Sequence, residues 1–157
     1  MVIDMNTFTA VDPNGVTHTR NSKARTYTHM VVGRPSSVAH TLMVTSKEVR
    51  ALHRKNFAYH DAMAKGTSRW LNGLTADYRD VEIANAKHHL NGCETAQDYE
   101  TMMVNAALEP IRHNMARGYY DKYQDLGWCG RPDLAAKLKV TSQNRKWVDV
   151  TILQVTC

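Results

Sequence analysis

Arg25-Thr26-Tyr27-Thr28-His29-Met30-Val31-Val32 is the most strand-like stretch of this chain. β-Branched and aromatic side chains fit the pleated surface of a sheet, and six of these eight residues are Thr, Tyr, Val or the unbranched Met. Alternation puts Arg25, Tyr27, His29 and Val31 on one face and Thr26, Thr28, Met30 and Val32 on the other. With Met30 and Val32 turned to a core, Arg25, Tyr27 and His29 point outward.

Upstream, Thr7 to Val11 and Val16 to Arg20 are β-prone and flank Asp12-Pro13-Asn14-Gly15. Asn-Gly tolerates the positive φ of a tight turn, so a hairpin is expected. On its second strand Val16, His18 and Arg20 share one side, and Thr17 and Thr19 the other. Downstream, Gly33-Arg34-Pro35-Ser36-Ser37 reads as a loop.

The middle of the chain is helical. Thr45-Ser46-Lys47-Glu48 fits a capping box with Thr45 as the cap, and Gly66 is a natural stop. A second helix is expected from about Ala76 to Leu90, ending at Asn91-Gly92, and a third from near Thr95. Pro110 should break or kink the third, or else open a further helix toward Leu126. Gly127-Trp128-Cys129-Gly130 reads as a turn, and Arg131 to Leu138 as a short helix. Lys146 to Val155 is a final strand that needs the N-terminal sheet to satisfy its backbone. The expected fold is therefore α+β: an antiparallel sheet of the N-terminal hairpin, the third strand and the C-terminal strand, with a helical middle packed on one face. Residues 1–157 are expected to form a single domain, with a possible helical insertion over 46–126. Trp70, Trp128 and Trp147 are expected to anchor the core.

Composition narrows the function classes. The 157 residues carry a net charge of +5, with ordinary apolar content of 43%. A packed core is expected, and no apolar run is long enough for a membrane helix. Met1-Val2-Ile3-Asp4 has neither the basic nor the apolar region of a signal peptide, so a cytoplasmic protein is expected. Cys93, Cys129 and Cys157 match no zinc or redox spacing and read as free thiols. No P-loop, dinucleotide fingerprint or Gly-x-Ser-x-Gly is present, so no cofactor is expected. Eight histidines include His53 and His60 on one helical face and the pair His88-His89 near Cys93, but no set has zinc-site spacing, and no metal is expected.

The basic residues of the first segment carry the leading functional reading. Arg20, Lys23, Arg25 and Arg34 cluster around Tyr27, so a nucleic-acid surface on the sheet is expected, DNA and RNA both being open. A solvated outer face is the plain alternative. Arg50, His53, Arg54 and Lys55 form a second basic cluster on the first long helix.

Two segments resemble small uncharacterised proteins encoded by tailed bacteriophages: Thr19 to Val32, and Trp128-Cys129-Gly130-Arg131-Pro132-Asp133-Leu134-Ala135-Ala136-Lys137. In such proteins the two pieces are expected to lie close together, whereas here the helical middle separates them. The resemblance implies a phage accessory protein of the host cytosol, acting in host takeover, counter-defence or nucleic-acid handling. Two other readings stand beside nucleic-acid binding: an inhibitor or adaptor that binds a host or defence protein, and a small enzyme acting on a nucleotide or metabolite.

Overall fold

The computed structural model describes residues 5–157 and is α+β. Contacts between residues divide the chain into two compact units, residues 1–39 with 113–157, and His40–Arg112.

The first unit is rich in strands. β1 (Asn6–Val11) and β2 (Thr17–Ser22) form the expected antiparallel hairpin. Its turn is built on Asp12. The Asp12 carboxylate accepts from the Asn14 N–H at 2.9 Å and the Val16 N–H at 3.1 Å, and lies 2.7 Å from His18 Nε2. Gly15 supplies the positive φ of 81°. A second sheet has the order β4 (Gln124–Cys129), β3 (His29–Arg34), β5 (Val148–Gln154), antiparallel throughout. Just past β5, Thr156 exchanges two backbone hydrogen bonds with Thr9 of β1, so the final segment does reach the N-terminal hairpin.

β3 is central and covered on both sides. Val31 packs with Cys129, Val150 and Ala135, the last from α6 (Pro132–Asn144), which lies across this face. Met30 and Val32 pack with Ala10, Trp128 and Leu153 on the opposite face. All three central residues are fully buried. A strand buried on both faces reads as a continuous apolar run, so alternation does not sort its sides. This corrects the expected outward face. The strand starts at His29, and Tyr27, on the approach to it, is 7% exposed, with its ring 5.3 Å from that of Phe8 and 6.1 Å from that of Trp128.

The segment expected as a turn at Gly127-Trp128-Cys129 is β4. Gly127 is there for close approach: a Cβ on it would lie 2.7 Å from the Leu138 side chain of α6. Glycine at such a point marks a tight helix-on-strand contact. A bulge at this place, between Val31 and Val32 in the β3–β4 pairing, accommodates Leu126.

The second unit is helical. α1 (Ser37–Thr45) begins inside the expected loop and continues from the first unit into the second. α2 (Lys47–Ala64) is capped by Ser46, whose hydroxyl accepts from the Val49 N–H, and not by Thr45, which is the last residue of α1. α3 (Arg69–Asn72) is a single turn, and α4 (Ala76–Leu90) ends on left-handed Asn91, as expected. α5 (Ala96–Ala116) runs unbroken through Pro110 and stops before a 3-10 turn at Tyr119–Asp121, short of the expected Leu126. Pro110 and Ala106, whose carbonyl the ring frees, are both exposed, so water can take the lost partner's place. Two apolar clusters hold the unit: Phe57, Leu90 and Tyr99, and Met63, Leu71 and Ala86. Trp128 and Trp147 pack against the sheet as expected, but Trp70 is 54% exposed, because the one-turn α3 buries Leu71 instead. No helix among the described residues is long and apolar enough to cross a membrane.

Candidate nucleic-acid interface

The division into units sorts the charge. The strand-rich unit holds eleven Lys and Arg against six Asp and Glu, while the helical unit holds nine of each. The chain's whole excess of +5 therefore belongs to the strand-rich unit, and the helical unit is formally neutral.

Within that unit the hairpin register fixes the faces. Directly paired residues of an antiparallel ladder share a face, so Arg20 lies beside Phe8 and His18 beside Ala10. Phe8 and Ala10 are buried, and Arg20 emerges at the rim of this face with its guanidinium 5.0 Å from the centre of the Tyr27 ring. That contact orients the arginine while leaving its donors in solvent. The chain then turns: Ser22 Oγ accepts from the Arg25 N–H at 3.0 Å, which presents Lys23 and Arg25, both exposed. None of the ion pairs among the described residues uses Arg20, Lys23 or Arg25. The opposite face of the hairpin carries Thr7, Thr9, Thr17 and Thr19, a polar surface that is mostly exposed.

Two of the five residues expected to bind nucleic acid stand differently. Tyr27 is packed against Phe8 and Trp128 with the Arg20 guanidinium over its ring, and at 7% exposure it is not open to a base. Arg34 is committed to the protein: its guanidinium pairs with Asp149 and donates to the Tyr120 carbonyl at 3.1 Å. The Asp149 hydrogen bond holds its pKa above the ordinary arginine value, against the opposing effect of burial. Asp149 reaches it from a left-handed backbone, φ 50°. The structure thus brings Arg20, Lys23 and Arg25 together on one edge and places Arg34 in a separate ion pair.

The histidines also find partners that spacing did not show. His60 of α2 stacks on His89 of α4, ring centres 4.6 Å apart, in a cleft of about 230 Å³ that Tyr59 and Glu82 also line. Burial, and then the neighbouring His89, hold the His60 pKa below its ordinary value. Neither helix signals this pairing in its own sequence: His89 lies on the exposed side of α4, and which helices meet is a tertiary fact. Cys93 turns to Met102, with sulfurs 3.7 Å apart. No group of three or more His, Cys, Asp or Glu able to hold a metal ion occurs among the described residues. Burial raises the pKa of the Cys129 thiol, which disfavours the thiolate that a nucleophile requires.

Fold and surface together define an α+β protein with a basic strand-rich unit and a neutral helical unit. No family model matches the chain, and no curated protein and no solved structure matches it significantly.

Proposed function

We propose that this protein binds nucleic acid through the edge formed by β2 and the turn after it, with Arg20, Lys23 and Arg25 contacting backbone phosphates. The observation that carries the reading is the confinement of the net +5 charge to the strand-rich unit, together with three exposed cations within six residues. Phosphate neutralisation by such residues releases counterions and supplies sequence-independent affinity. Tyr27 contributes by orienting Arg20 and not by stacking on a base. The segments that resemble phage accessory proteins, Thr19 to Val32 and Trp128 to Lys137, include this edge, which favours nucleic-acid handling among the roles that the resemblance implies. They also run side by side, with His29 opposite Cys129 and Met30 opposite Trp128.

Fluorescence anisotropy of a labelled DNA duplex and a single-stranded RNA, titrated at several salt concentrations, tests this. Replacing Arg20, Lys23 and Arg25 together by alanine should flatten the log–log salt slope on duplex DNA by up to about 2.7, at ~0.9 per phosphate contact. Replacing Lys65 and Lys87 of the helical unit should leave the slope unchanged. A triple variant that binds as tightly as the wild type, with the same slope, excludes the surface.

A second reading, a protein-binding adaptor, is favoured by the helical unit. It is neutral overall and exposes Leu42, Met43, Leu52, Tyr59 and Tyr78. Pull-down from a bacterial lysate should then recover a stoichiometric partner that Leu52→Glu releases.

A further inference from the structure

We infer that the cleft between α2 and α5 is a phosphate-binding site, independent of the β2 edge. Arg50 and Arg54 stand one turn apart on α2 and so present side chains from one face. Both reach a single acid on α5, Glu100, which is 8% exposed. Gln97 and Thr101, one turn apart on α5, complete the lining of a cleft of about 350 Å³.

The arginines are held there without being saturated. Their contacts to Glu100 are 3.5 Å from Arg50 and 3.3 Å from Arg54, whereas a charge-assisted bond commonly closes to about 2.7–2.9 Å. Arg50 Nε donates to the Thr45 carbonyl at 3.0 Å, which fixes the plane of that guanidinium. Arg50 Nη2 and Arg54 Nε and Nη2 make no hydrogen bond among the described residues. Two guanidinium charges against one carboxylate leave the cleft with one positive charge to spare. Glu100 itself is buried, and its role here is to hold the two forks in place before a ligand arrives.

The donor set selects the ligand chemistry. A phosphate group carries four acceptor-bearing directions around one centre and about −1.5 to −2 charges as a monoester. It can meet both arginine forks and still accept from the Gln97 amide and the Thr101 hydroxyl. A carboxylate, with two oxygens in one plane, leaves half of these donors unmet. Planar guanidinium forks suit phosphate in a way that lysine does not.

Titration calorimetry with inorganic phosphate, at an ionic strength matched with chloride, tests the site. One saturable site per chain is expected, and Arg54→Gln, in a side chain that is half exposed, should weaken it about tenfold. Arg54→Lys should fail to restore it. Absence of saturable binding, or equal affinity in Arg54→Gln, overturns the inference. Should Arg54→Gln not fold, the pair Gln97→Ala and Thr101→Ala serves instead: several-fold weaker binding is expected, and unchanged binding overturns the site. Competition then separates the sources of the group. Displacement by adenosine monophosphate identifies a small phosphomonoester. Displacement only by an oligonucleotide with a 5′-phosphate, and not by its 5′-hydroxyl counterpart, identifies a nucleic-acid end. Displacement by neither overturns the monoester assignment. The β2-edge substitutions leave this binding unchanged, so either reading can fail alone.

Discussion

Replacing Tyr27 by leucine separates a core role for this ring from a base-stacking one. Leucine keeps most of the apolar burial but removes the π-system. The ring lies 5.3 Å from Phe8, 6.1 Å from Trp128 and 5.0 Å beneath the Arg20 guanidinium. Aromatic pairs contribute about 0.5–1.5 kcal/mol each beyond their buried area, and an exposed cation–π contact about 0.5–1 kcal/mol. Taken together, Tyr27→Leu should lower stability by about 1.5–4 kcal/mol, read as a shift of the urea midpoint at unchanged slope. In a chain of this length each kcal/mol lowers Tm by about 2–4 °C. Binding behaves differently. An aromatic platform for a base is worth about 1–3 kcal/mol per base, so its loss weakens single-strand affinity by roughly 5- to 150-fold. Because the ring here is buried and acts only by orienting Arg20, one of three cations, affinity for single-stranded RNA, measured by anisotropy well below the variant's Tm, should fall by no more than about threefold. A variant as stable as the wild type that binds RNA ten or more times less tightly would refute the reasoning and return Tyr27 to the binding surface.

Two other outcomes follow from the helical unit. Both ring nitrogens of His53 are buried without a hydrogen-bond partner among the described residues, so His53→Leu should raise stability by about 1 kcal/mol, read from the urea midpoint. A lower midpoint would mean that His53 is bonded in solution. His60 has a folded-state pKa below its unfolded value of 6.5, so the unfolded chain takes up the proton first. Its contribution is intact above that pH and is lost as pH falls from there toward the depressed folded value. Stability should therefore drop on going from about pH 8 to about pH 5, and less steeply in His60→Gln; equal slopes would dissociate the effect from His60.

Much of the architecture was legible in short-range chemistry. Asn14-Gly15, Asn91-Gly92 and Thr95 each mark a local event, and each is found where it was expected. What was not legible depends on partners distant in sequence. Gly127 reads as a turn until Leu138 is placed against it. Tyr27 reads as outward until Phe8 and Trp128 close around it. The basic edge was visible as a cluster, yet only Arg34's pairing with Asp149 separates it from Arg20, Lys23 and Arg25, and only the fold shows that the helical middle contributes no net charge.

The pairing of β3 has a consequence for synthesis of the chain. The hairpin and the helices close locally and can form as they emerge. β3 has no such neighbour: Thr28, just before it, bonds to Cys129, 101 residues away, and its other partner β5 is later still. A ribosome making this protein exposes Met30-Val31-Val32 long before either flanking strand exists. Until then the most deeply buried strand of the finished protein is an unpaired edge on both sides, the kind of segment that chaperones bind and that other nascent chains can capture. At about 5–20 residues per second that interval lasts roughly 5–20 s. That window follows from the order of the strands along the chain, since both partners of β3 lie within residues 124–154.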